Sequence, residues 1–83
     1  MLDTPTLLAQ AKKHMTPNYR PPDLILGKGK GSYVWDLDGR QYLDFSSGIG
    51  VNALGHNHPK VIEAIQNQVT QLTHCSNQFY SRV

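Results

Sequence analysis

Apolar positions change period several times along this chain of 83 residues. Near the start, Leu7, Leu8, Ala11 and Met15 recur at helical spacing, behind Thr4 as expected N-cap and Pro5 at the first helical position. Pro17 ends that helix, because a residue before proline is pushed out of the helical region. Tyr19-Arg20-Pro21-Pro22-Asp23 should then run extended, with two prolines fixing φ and removing donors. Leu24-Ile25-Leu26 is a candidate short strand, and Gly27, Gly29 and Gly31, alternating with Lys28 and Lys30, predict a flexible turn. Residues 33–37 and 41–45 are rich in aromatic and β-branched side chains and flank Asp38-Gly39, the strongest short hairpin signal. Residues 46–57 hold three glycines and no clear period, so they predict a loop. From Pro59 onward Val61, Ile62, Ile65, Val69 and Leu72 form an apolar stripe, with Asn57 or His58 as cap. Lys60, Glu63, Gln66, Asn67, Thr70 and Gln71 take the opposite face.

The expected fold is α+β: an N-terminal helix, a short antiparallel β-hairpin and one amphipathic helix. Residues 1–23 form a helix and extended arm, and residues 24–83 begin a small domain. The stripe of the last helix needs more partner surface than a hairpin and one short helix supply, and an isolated hairpin is marginal in water. The chain therefore reads as an opening segment of something longer.

Composition narrows the function classes. The net charge of +2 comes without a run of like charge, which argues against a nucleic-acid tail or polybasic membrane patch. No stretch approaches a membrane span, and the start lacks the apolar core of a secretory signal, so the cytosol is the default compartment. The one cysteine, Cys75, cannot form an internal disulfide. His56 and His58 lack a third ligand at metal-site spacing, and capping and packing at the helix start explain them better. Gly55 is expected to take a positive φ or let backbone pass close by. Cys75 is expected to be a small buried hydrophobe rather than a nucleophile, since no base is placed beside it. Tyr33, Trp35, Tyr42 and Phe45 read as packing residues. Asp36, Asp38 and Asp44 share their hairpin and would repel phosphate.

Two motifs carry more. Gly29-Lys30-Gly31-Ser32-Tyr33-Val34-Trp35-Asp36-Leu37-Asp38-Gly39-Arg40 precedes Ser46-Ser47-Gly48-Ile49-Gly50-Val51-Asn52-Ala53-Leu54-Gly55-His56-Asn57-His58-Pro59-Lys60. Together they resemble the N-terminal part of class-III pyridoxal-phosphate-dependent aminotransferases, and within that class the acetylornithine aminotransferases most. The resemblance spans nearly all of residues 17–80. It implies the start of a fold-type-I transferase that moves the amino group of N-acetylornithine to 2-oxoglutarate in arginine biosynthesis. Ornithine, succinylornithine and 4-aminobutyrate are alternative donors within the class, and a non-catalytic interaction module is the alternative outside it. The resemblance also implies a homodimer and the cofactor pyridoxal 5'-phosphate. The family's Schiff-base lysine matches none of Lys12, Lys13, Lys28, Lys30 or Lys60, so no catalytic or cofactor-binding residue is expected here. Tyr19, Gly48 and Ile49 match positions that line the family's substrate pocket. Some relatives carry an aromatic residue where this chain has Ile49, which would give that wall shape and dryness rather than a hydrogen bond.

Overall fold

The computed structural model describes residues 2–82. Helix α1 spans Thr4–His14 and is capped by Asp3, whose Oδ1 accepts the Thr6 N–H at 2.9 Å. The hydrogen bonds from Thr6 hold the Asp3 carboxyl below its ordinary pKa. This corrects the expected cap by one residue: Thr4 lies inside the helix, and its hydroxyl has no partner among the described residues. The helix ends at His14, and Met15 turns extended two residues ahead of Pro17.

Three strands follow, β1 (Leu26–Lys30), β2 (Tyr33–Asp36) and β3 (Gln41–Leu43), in an antiparallel sheet of order β1-β2-β3. The hairpin is there, with Gly39 at φ +87 in its turn. The glycine-lysine segment is not the expected flexible turn, however. It is an edge strand whose register shifts between Leu26 and Lys28. Glycine suits this strand because neighbours press on it. A Cβ at Gly27 would lie 2.8 Å from Leu37 Cδ2, and one at Gly29 would lie 2.7 Å from the His56 ring. The turn itself is confined to Gly31-Ser32, with Gly31 at φ +58.

The two faces of the sheet differ. Lys28, paired with Trp35, sets its Nζ 5.0 Å from the indole centroid, and Tyr33 lies 6.4 Å from Trp35 on the same side. The other face carries Val34 and Asp36, the only buried residues among those described, each still 8% exposed. Tyr42 stands opposite Val34 and donates its hydroxyl to Asp36 Oδ2 at 2.9 Å. Asp36 Oδ1 accepts the backbone N–H groups of Asp38 and Arg40 at 3.0 and 2.9 Å, so one carboxylate organises the whole turn. Burial raises the Asp36 pKa, but the hydrogen bonds from Arg40, Tyr42 and Asp38 outweigh it and leave the carboxyl below its ordinary value. The same bond raises the Tyr42 phenol. Phe45 does not pack on the hairpin as expected; it is exposed just past the end of β3.

Helix α2 spans Pro59–Val69, with His58 as N-cap accepting the Lys60 N–H on Nδ1 at 3.2 Å. It stops before Leu72 joins the stripe. Neither helix packs on the sheet, and the stripe is exposed, Ile65 to 61%.

Candidate functional site

The loop between β3 and α2 is held by a dense set of hydrogen bonds. It opens on Asp44, whose Oδ1 accepts the Ser46 N–H and Oγ–H, both at 2.9 Å, and the Ser47 N–H at 3.1 Å. Its other oxygen meets His56 Nε2 at 2.7 Å. The hydrogen bond to His56 above all, then those from Ser46 and Ser47, lower the Asp44 pKa to about 2. His56 is fixed in turn by backbone: its carbonyl accepts the Gly31 N–H at 3.0 Å, and its N–H donates to the Gly31 carbonyl at 2.8 Å. Its ring fits against the bare Cα of Gly29. The Asn57 side-chain amide donates to the Gly29 carbonyl. Gly55 combines both expected features, a φ of +84 and a close approach to the Gly31 backbone.

Between these ends the loop is a run of tight turns. Ile49 N–H donates to Ser46 O at 2.8 Å, Gly50 N–H to Ser47 O at 3.1 Å and Asn52 N–H to Ser47 O at 2.9 Å. Ser47, Gly48, Ile49 and Gly50 all have positive φ, at 44°, 60°, 61° and 93°. That conformation is rare for a β-branched residue and persists only where the surroundings fix it. The Ile49 side chain is fully exposed at 100%, and Val51 and Phe45 beside it are exposed as well. The result is an apolar tip tied by backbone hydrogen bonds, with no hydrogen-bonding side chain at Gly48 or Ile49.

Tyr19 lies apart from this tip, on the arm between α1 and β1, and is 82% exposed. With Leu8, Ala11, Met15, Pro21 and Pro22 it lines an apolar groove of about 420 Å³ between helix and arm. Lys12 and Asp23 bridge that groove at 3.4 Å. Gly48 and Ile49 are not among the residues that line this groove.

His58 fulfils the capping expectation, while His56 pairs with Asp44. No group of three or more His, Cys, Asp or Glu among the described residues could hold a metal ion. Cys75 is half-buried rather than buried, with its Sγ 3.5 Å from the Ser76 carbonyl. The anchoring roles of Asp36 and Asp44 are missed when both are read only as negative charge. The signal is present in Asp36-Leu37-Asp38-Gly39 and Asp44-Phe45-Ser46-Ser47, where aspartate can accept backbone N–H groups two to four residues ahead.

The described residues do not form a pyridoxal-phosphate site. All five lysines are exposed, Lys12 and Lys28 being engaged with Asp23 and Trp35. The Gly27–Gly31 backbone is taken up by β2, His56 and Asn57, leaving no phosphate cradle there.

Comparison with known proteins gives these features a family. Residues 14–82 match the sequence profile of the family described as aminotransferase class-III. An acetylornithine aminotransferase from Myxococcus xanthus is 48% identical over 79 residues, covering 95% of this chain and 20% of that protein. The crystal structure of acetylornithine aminotransferase from Elizabethkingia anophelis superposes with a TM-score of 0.87 at 34% identity, over 98% of this chain and 21% of that one. An ornithine aminotransferase structure from Toxoplasma gondii, with partial occupancy of the cofactor at its active site, gives 0.86 at 34% identity, over 98% and 19%. The chain thus spans about a fifth of the length of the relatives it matches. The chain belongs to the class-III aminotransferase family.

Proposed function

We propose that the protein carrying this chain is a pyridoxal-phosphate-dependent aminotransferase that moves the δ-amino group of N-acetylornithine to 2-oxoglutarate, a step of arginine biosynthesis. The family match over residues 14–82, joined to 48% identity with an acetylornithine aminotransferase, carries this reading. In this proposal the cofactor lysine and phosphate site lie in polypeptide beyond these residues. The chain itself contributes an arm with Tyr19 and a pocket wall at Gly48 and Ile49. That wall has a physical rationale: a stiff apolar tip excludes water and shapes a pocket without binding charge. A homodimer would cover the apolar stripe of α2 and the arm groove, both open here. The cytosol is the proposed compartment; no helix among the described residues is long and apolar enough to cross a membrane.

Ornithine is the second reading, because the Toxoplasma gondii ornithine aminotransferase superposes about as closely as the acetylornithine enzyme. The test offers the purified full-length protein N-acetylornithine, ornithine, N-succinylornithine or 4-aminobutyrate with 2-oxoglutarate, and measures glutamate. The highest kcat/KM with N-acetylornithine is expected. A higher value with ornithine replaces the donor, and no glutamate from any of the four overturns the reading.

A further inference from the structure

We propose that Asp44 and His56 are a positioning pair that clasps the base of the 46–55 loop and thereby sets where Gly48 and Ile49 stand in the substrate pocket. This rests on the proposed role of that loop as a pocket wall. The clasp itself stands on geometry.

The two residues bracket the loop in sequence and meet in space, at 2.7 Å. Asp44 also holds the first two loop amides, Ser46 and Ser47. The carbonyls of Ser46 and Ser47 then accept the N–H groups of Ile49, Gly50 and Asn52. The left-handed run from Ser47 to Gly50 is therefore built outward from the two residues Asp44 holds. His56 ties the same carboxylate to the sheet through its bridge to Gly31. Both side chains are largely shielded, at 12% and 23% exposure for Asp44 and His56. A loop that keeps Ile49 at φ +61 with its side chain wholly in solvent gains nothing from that residue's own packing. Strain of this kind is held by the surroundings, and it gathers where a site has to be preorganised. These contacts of Asp44 and His56 all run to the loop or the sheet. They act through the loop.

The experiment uses the full-length enzyme with three substitutions, Asp44→Ala, Asp44→Asn and Gly29→Ala. The alanine removes the clasp. The asparagine keeps an oxygen for Ser46 and Ser47 and an amide that can donate to an unprotonated His56 Nε2. The third touches neither residue but puts a methyl 2.7 Å from the His56 ring. Steady-state kinetics with N-acetylornithine and with glutamate as donors, melting temperature, and hydrogen exchange of residues 46–52 are measured together. Displacing a pocket wall by about an ångström should raise KM for N-acetylornithine roughly ten- to a hundred-fold. The expected pattern is that KM rise with a much smaller change for glutamate, faster exchange in the loop, recovery in Asp44→Asn, and a milder copy in Gly29→Ala. Equal losses with both donors that track the melting temperature would reduce the pair to a structural role and overturn the proposal. So would unchanged loop exchange in Asp44→Ala. An unsubstituted enzyme that transaminates neither donor overturns the pocket-wall half together with the proposed function, and the exchange data then decide the clasp separately.

Discussion

Replacing Gly55 by alanine tests how tightly the 46–55 loop is sewn to the sheet, and Gly39 supplies a matched control. The two glycines have nearly the same φ, +84 and +87. At Gly39 an added Cβ meets nothing within 4 Å, whereas at Gly55 it would lie 3.1 Å from the Gly31 carbonyl oxygen and 3.2 Å from its C and Cα. A left-handed backbone costs an L-residue about 1–2 kcal/mol. Loss of unfolded-state freedom returns about 0.4–1 kcal/mol of that. Gly39→Ala should therefore destabilise its turn by roughly 0.5–1 kcal/mol. Gly55→Ala adds an overpacking penalty of about 1–3 kcal/mol. The Gly31 backbone has little room to yield, because it exchanges two hydrogen bonds with His56. The readout is hydrogen exchange in peptides covering residues 26–36 and 54–60, which reports local opening where a global melt averages it away. Opening in Gly55→Ala should exceed that in Gly39→Ala by about five- to a hundred-fold, at 1.4 kcal/mol per decade. If both variants exchanged alike, the close approach of Gly55 to Gly31 would not be a constraint, and the close-packed view of the loop base would fail.

Tyr19→Ala should lower kcat/KM for the amino donor about ten- to two-hundred-fold with less effect on 2-oxoglutarate, if its ring reaches the distal end of the donor. Equal losses for both, with a lower melting temperature, would leave Tyr19 as an arm anchor. Asp44 has its pKa lowered from 3.8 to about 2, so its ionised form stabilises the fold: that contribution is complete above 3.8 and is lost as pH falls from there through about 2. His56→Ala, which leaves no donor in place of the imidazole, should raise the Asp44 midpoint, read from its carboxyl chemical shift, and an unmoved midpoint would refute the pairing. In a peptide of these residues alone, amides of α2 should exchange fast, because its apolar face is wet; each fully buried side chain there is worth about 1.5–3 kcal/mol. Strong protection across residues 61–69 would instead mean that α2 needs no outside partner.

How much of this is legible in the sequence follows from the range of the interactions involved. The two helices and the Asp38-Gly39 hairpin rest on local rules, periodicity, proline placement and turn chemistry, and they stand within a few residues of where those rules put them. The miss at Gly27–Gly31 has the opposite origin. Locally, alternating glycine and lysine favours a turn. The strand forms by pairing with β2, and there Leu37 and His56, up to 27 residues away along the chain, leave no room for a Cβ at Gly27 and Gly29; no local propensity encodes that. The loop 46–57 is legible as irregular but not as an ordered set of turns, since its anchoring comes from one carboxylate shared among Ser46, Ser47 and His56. The proposed substrate-facing residues sit at the far end of the same scale. Gly48 and Ile49 make no polar side-chain contact, and Tyr19 stands on an open arm. Their role depends on the groups that come to lie against them. The chain shows the consequence directly: the side chains that fix the loop are inward, polar and paired, and the ones proposed to meet substrate are outward and largely apolar. A wall of this design contributes to specificity only through where it stands, so selection on it should act through Asp44, His56, Gly29 and Gly55 as strongly as through Ile49 itself.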